Sequence, residues 1–213
     1  MLTIPEQSRE LRITSYWREK KKKLMVIRKA NKVDAETITE QLFLAMEEIL
    51  YAFIGMKDHK KAKSFLRYFV EKENNQYSYE NCLVVESGNE VIGTLNIYDG
   101  GKLESLRAPI IAYIKTHFGI GFHHEEETQE GEYYIDSLGI SRSHQGKGTG
   151  TALLKFTIDK YVKSDQRTIG LLVDEDNPNA EKLYLKLGFE LIGRKTLAGK
   201  KMKHLQLRPK VKE

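Results

Sequence analysis

The sequence predicts a single α/β domain of α+β character, a twisted and mostly antiparallel sheet flanked by helices. Three observations predict it. After residue 131 the chain alternates strand-like and helix-like segments (133–140, 148–162, 168–174 and 179–187), the mark of a sheet with crossover helices. Hairpin signals stand before and after that run, Ser87-Gly88-Asn89 and Ala198-Gly199, each between β-prone segments. Finally, 213 residues at 40% apolar and 31% charged suit one soluble core.

In chain order, residues 1–23 form a basic extension that ends in four lysines, Lys20 to Lys23, and carries the one tryptophan, Trp17. Residues 24–213 form the domain. Leu24-Met25-Val26-Ile27 is a short β-prone run. Asp34 is placed to cap a helix whose Ile38, Leu42, Ala45, Ile49 and Phe53 recur at helical spacing, with Gly55 ending it. A second helix over 58–74 carries Ala62, Phe65, Leu66, Phe69 and Val70 on one stripe. Residues 82–85 and 91–97 are strands of one hairpin. Residues 99–131 break the rhythm and read as an insertion between the third and fourth strands, with a helix over 103–117 and then an acidic stretch containing Glu125, Glu126, Glu127 and Glu130. The tail, 190–207, reads as two strands.

Composition excludes several classes. No run approaches the roughly 18 apolar residues of a membrane helix, and residues 1–23 hold no apolar block of the secretory kind, so a cytoplasmic location is expected. The single cysteine, Cys82, rules out an internal disulfide or a cysteine metal cluster and reads as a small core residue. No metal is expected, His117, His123 and His124 notwithstanding. The +5 net charge invites a nucleic-acid reading, but its distribution argues otherwise. Residues 1–32 carry ten Lys/Arg against three acids and residues 193–213 eight against one, whereas the body between them carries 17 against 26. The basic excess belongs to the ends.

The segment from Leu138 to Leu154 passes from a strand through glycines into a helix. Gly146, Gly148 and Gly150 leave backbone N–H groups uncovered at the positive end of the helix dipole, and Lys147 adds a cation, so the turn can accept a pyrophosphate. The spacing fits neither a P-loop, since Gly148 follows Lys147, nor the dinucleotide fingerprint, since the glycines are evenly spaced and late in the chain.

What fits is Gln-x-x-Gly-x-Gly, here Gln145-Gly146-Lys147-Gly148-Thr149-Gly150, followed by Asn177-Pro178-Asn179-Ala180-Glu181-Lys182-Leu183-Tyr184-Leu185-Lys186-Leu187-Gly188-Phe189. With these two motifs in register the chain resembles the GCN5-related N-acetyltransferase (GNAT) superfamily over about residues 24–207. The resemblance implies a sheet whose fourth and fifth strands splay apart and hold the pantetheine arm of acetyl-coenzyme A, the acetyl donor. It implies that the main chain of Leu138, Gly139 and Ile140 bonds the pantetheine and the acetyl carbonyl, and that Gly146, Lys147, Gly148, Thr149, Gly150 and Thr151 surround the pyrophosphate. Gln145 either contacts the cofactor or braces the turn; Asn177 matches a cofactor contact, with helix capping as its other role.

The implied activity is direct transfer of acetyl from coenzyme A to a primary amine in a ternary complex. Tyr184 matches the tyrosine that protonates the leaving thiolate, and a phenol with a reference pKa near 10 is protonated at neutral pH. The family's general-base positions fall here on Tyr134 and Leu172, neither of which can take a proton from an ammonium. Glu132, Asp136 and Asp174 are the nearby acids, of which Asp136 is favoured, with a water relay as the alternative. The expected acceptor is a small-molecule or peptide amine drawn to an acidic body; nucleic acid and membrane are not expected partners, and a homodimer is left open. A non-catalytic acyl-coenzyme A binder with the same fold is the competing reading.

Overall fold

The computed structural model describes residues 25–121 and 127–210; the basic extension lies outside them. Strands β1 (Met25–Lys29), β2 (Cys82–Ser87), β3 (Glu90–Asp99), β4 (Glu132–Ile140), β5 (Thr168–Asp174), β6 (Glu190–Leu197) and β7 (Lys200–Leu207) form one sheet in the order β1-β2-β3-β4-β5-β7-β6. Every pairing is antiparallel except that of β4 with β5. Helices α1 (Ala35–Ile54), α2 (His59–Val70) and α3 (Leu103–Phe118) cover one face. The other is covered by α4 (Thr149–Thr157), prolonged as a π-helix over Ile158–Ser164, and α5 (Pro178–Lys186). The two-residue period of a strand divides the side chains between the faces: Cys82 and Val84 join the core under α1–α3, and Leu83 and Val85 the core under α4. Cys82 is a core residue, and burial pushes its thiol up to about 12.

Two details of α1 depart from the periodicity. Ile38 and Leu42 are buried, but Ala45 is exposed and Ile49 half-buried, while Met46 and Leu50 take the core positions. Met46 leaves the helical region (φ −134°, ψ 22°), and this kink moves the buried stripe one residue along. Asp34 stands at the start of α1 without capping it. Its carboxylate accepts from Asn31 N at 2.8 Å, closing the preceding turn, and from both terminal nitrogens of Arg28 at 2.8 and 3.0 Å. Gly55 ends the helix at φ 65°.

The segment between β3 and β4 is built into the core. Ile110 and Ile114 of α3 join the cluster under α1 and α2, and Leu103 packs with Tyr98 and Tyr134. Among the described residues no helix is long and apolar enough to cross a membrane.

β4 and β5 pair over only four positions, from Glu132↔Thr168 to Ile135↔Leu171, and then part. The parting coincides with a register slip against β3, where Asn96 faces Ser137 but the adjacent Ile97 faces Ile135. Asp136 is therefore the extra residue of a β-bulge, a feature that bends a strand and tightens its twist. On its far side β5 pairs with β7 from Ile169↔Leu207 to Asp174↔Met202.

The Arg28 guanidinium and the Asn31 N–H hold the Asp34 carboxyl below the usual carboxylate range. A lowered value stabilises the fold fully above about pH 4 and is lost as pH falls through it. Asp34→Ala should cost about 1–3 kcal/mol at pH 7, read as a lower urea midpoint, and the gap to the parent should shrink below pH 4.

Candidate active site

Where β4 and β5 part, they open a cleft of about 790 Å³. Its walls are residues 44–49 of the kinked α1, residues 134–138 of β4, residues 171–174 of β5, and Asn177, Ala180, Leu183 and Tyr184 at and within α5. Of the residues expected at the site, Asp136, Leu138, Asn177 and Tyr184 meet here.

The backbone of β4 follows from one bond. Ser141 N donates to Ile92 O at 3.0 Å, so by the alternation of an antiparallel ladder Gly139 turns its polar groups to β3, while Leu138 and Ile140 turn theirs to the gap. Gly139 has a separate reason to be glycine: a Cβ there would land on the Gln41 carbonyl of α1. Gln145 Nε2 donates to Ile140 O at 3.0 Å, which braces the turn and occupies one of the gap-facing carbonyls.

Beyond Ile140 the chain passes Gly146 (φ 71°) and Gly148 (φ 84°), both in the left-handed region that favours glycine. A Cβ at either would meet nothing within 4 Å, so the surface over the loop is open. Helix α4 starts at Thr149 with no side chain capping it, and its first intrahelical bond is Ala152 N to Gly148 O at 2.9 Å. The N–H groups of the first turn, those of Thr149, Gly150 and Thr151 included, thus have no intrahelical acceptor. Thr149 is buried and Gly150 lies against Leu138 and Ile140, while Lys147 is exposed. A loop of this shape, continuous with the gap-facing Leu138 and Ile140, suits an anionic group joined to an amide-bearing arm.

The three carboxylates weighed as bases have separate environments. Glu132 is buried over Gly170 and accepts from Gln206 Nε2 at 2.6 Å, from Gln129 N at 3.1 Å and shares a 3.0 Å contact with His204 Nε2. Asp174 accepts from Asp176 N and pairs with Lys200 at 3.2 Å, and these hold it below the usual range. Asp136 is half-buried at the cleft wall, and its desolvation raises it above the aspartate value despite bonds from Gln76 at 2.6 Å and Tyr98 at 2.9 Å. Across the cleft, Tyr184 packs edge-on to Phe189 with ring centroids 5.7 Å apart, and burial pushes its phenol above 10. Asn177 caps α5, accepting from Ala180 N at 3.1 Å.

Four side chains around Asp136 carry no motif: Gln76, Tyr98, Arg107 and Glu127. Glu127, of the acidic stretch, is 4% exposed and forms an ion pair with Arg107, itself 3% exposed. Their signal in the sequence was Arg107 itself, on the helical stripe of Leu103, Ile110 and Ile114 where apolar residues belong. Glu130 is exposed, and Glu125 and Glu126 lie outside the described residues, as do His123 and His124. His117 stacks on Tyr113 with ring centroids 3.8 Å apart.

The model of the acetyltransferase (GNAT) family matches residues 46–189. A probable spermine N(1)-acetyltransferase of Bacillus subtilis subsp. natto is 29% identical over 86 residues, 40% of this chain and 57% of that protein. A mycothiol acetyltransferase of Corynebacterium efficiens is 34% identical over 79 residues, 35% of this chain and 25% of that protein. The chain thus spans between a quarter and somewhat over half of the length of these relatives. The crystal structure of an acetyltransferase superposes with a TM-score of 0.71 at 27% identity, covering 87% of this chain and all of that one.

Because no side-chain rotation can free the Gln41 carbonyl, Gly139→Ala should force α1 off β4. The expected cost is about 3 kcal/mol or more, measured as a lower melting temperature, whereas Gly146→Ala, with open space above it, should cost about 1 kcal/mol.

Proposed function

We propose that this chain, which belongs to the acetyltransferase (GNAT) family, moves an acetyl group from acetyl-coenzyme A to a primary amine on a cationic small molecule or peptide, with both substrates bound at once. The observation that carries this reading is the pairing of opposite proton roles in one cleft, a carboxyl raised by desolvation above the ordinary aspartate value at Asp136 and a phenol pushed above 10 by burial at Tyr184. Pairs of groups whose environments push them to different tasks are how acid and base steps are divided. The donor supplies a thioester, whose carbonyl is attacked by the amine and whose thiolate must be protonated on leaving.

Each wall of the cleft has a task in this scheme. The gap-facing backbone of Leu138 and Ile140 extends the sheet onto the pantetheine amides, and a fixed N–H there polarises the carbonyl as its oxygen gains charge. The N–H groups of residues 146–151, with Lys147, hold the pyrophosphate. Asp136 accepts a proton from the ammonium form of the acceptor, releasing the lone pair, and Tyr184 donates one to the departing sulfur. Among the described residues the walls also carry Glu47, Glu48, Asp174 and Asp176 against Lys200, while Glu127 is offset by its ion pair with Arg107. Such a field draws a cationic acceptor inward. It agrees with the amine acetyltransferases among the relatives. Against a non-catalytic acyl-coenzyme A binder stands the carboxylate that Asp136 presents at the cleft.

Acetyl-coenzyme A should raise the melting temperature of the protein, and absence of any shift would remove the basis of the proposal. With a panel of primary amines, Asp136→Asn should lower kcat by about 10²-fold or more and Tyr184→Phe by about 10-fold or more. In kcat, activity should fall on the acid side as Asp136 takes up a proton above the ordinary aspartate value of 3.8, and on the alkaline side only above 10 as Tyr184 ionises.

A further inference from the structure

We infer that Gln76 is a positioning residue for Asp136, and that Arg107 of α3 fixes the sense in which its amide acts; this rests on the reading of Asp136 as the base. Gln76 lies between α2 and β2, 1% exposed, and its own N–H is bonded to Leu106 O of α3 at 3.0 Å. Its side chain is held from both ends. Arg107 Nε donates to Gln76 Oε1 at 2.9 Å, and Gln76 Nε2 donates to Asp136 Oδ2 at 2.6 Å.

An amide can rotate to exchange its oxygen and nitrogen, but here only one sense works. A guanidinium only donates and a carboxylate only accepts, so the rotated amide would set NH₂ against Arg107 and oxygen against Asp136. Arg107 is in turn held by Glu127, to which the Tyr134 hydroxyl also points at 3.5 Å. The relay thus runs from Glu127 through Arg107 and Gln76 to the carboxylate.

The relay selects an oxygen as well as an orientation. Gln76 and the Tyr98 hydroxyl both donate to Oδ2 of Asp136, and Oδ1 receives no hydrogen bond from the described residues. With Oδ2 occupied, Oδ1 is the oxygen available to an ammonium in the cleft. The groups facing Asp136 are Tyr77 and Cys82 beside Gln76, Tyr98 of β3, Tyr134 of β4 and Arg107 of α3, with Glu127 behind Arg107. Burial keeps the phenols and the thiol neutral at pH 7, and the charges of Arg107 and Glu127 offset each other. The Gln76 bond is then the largest support of a charged Asp136, ahead of the Tyr98 hydroxyl, the Arg107 charge and the Ser137 hydroxyl.

The test is the pH profile of kcat at saturating acetyl-coenzyme A and amine for the parent, Gln76→Met, Gln76→Glu and Asp136→Asn. Gln76→Met keeps the volume and removes the donor, so its acid limb should move upward by about half a unit or more. On the acid limb its kcat should fall by up to about threefold for a half-unit shift, with KM for acetyl-coenzyme A unchanged. Gln76→Glu still accepts from Arg107 but sets a second carboxylate beside Asp136, and should move the limb further in the same direction. A folded Gln76→Met with the parental limb, beside an inactive Asp136→Asn, overturns the positioning role and leaves the base intact. Parental turnover in Asp136→Asn overturns both. If Gln76→Met does not fold, the limb of Gln76→Glu decides, and if neither variant folds Gln76 is structural and the inference falls.

Discussion

The register slip at Asp136 is the constraint on which the rest of this structure depends. Up to Ile135, β4 and β5 are ordinary parallel neighbours; one extra residue on β4 bends it away, and the two strands never pair again. Both still satisfy their other edges, β4 on β3 and β5 on β7, so the unpaired backbone is confined to the edges that face the gap. An opened ladder of N–H and C=O groups is costly inside a protein unless something with matching groups can lie along it. Here it borders a cleft that also receives a helix N-terminus, a phenol and a carboxylate.

The acidic body of the chain is better understood by environment than by charge. Asp34 and Asp174 are held low by cations and backbone N–H groups, so they act as structural anions. Glu127 and Glu132 are buried with dedicated partners, Arg107 for one and His204 with Gln206 for the other. Asp136 differs because its donors do not outweigh its desolvation. Carboxylates of one charge thus divide into those held low or fully partnered and one that is raised, and the division follows from what surrounds each oxygen.

Packing around the bulge leaves little freedom. Gly139 is bare because α1 crosses at its backbone, and Gly170 is bare because the Glu132 carboxylate lies over it. Residues 44–49, on either side of the kink at Met46, line the cleft, and Met46 and Leu50 are buried against the core. Helix α3 packs on the same core and delivers Arg107 beneath the bulge.

Much of the fold was legible in the sequence because its determinants are local. The hairpins, the stop at Gly55 and the strand–glycine–helix passage at 138–154 each depend on residues a few positions apart, through periodicity, turn conformations and the bare backbone of Gly146 and Gly148. The motif residues Gln145, Asn177 and Tyr184 could be named for the same reason, though the bracing of Gln145 and the cap of Asn177 could not be separated from cofactor contacts. Ala45 and Asp34 were misplaced because a kink and a preceding turn overrode local pattern. Asp136 could be favoured from its place on the strand, but tertiary structure alone decided the surroundings of each carboxylate at the cleft and the direction in which its proton affinity moves. Gln76 and Asp136 are 60 positions apart, and an acid's strength depends on the water it has lost and the donors it has gained, neither of which exists until the chain has closed around it.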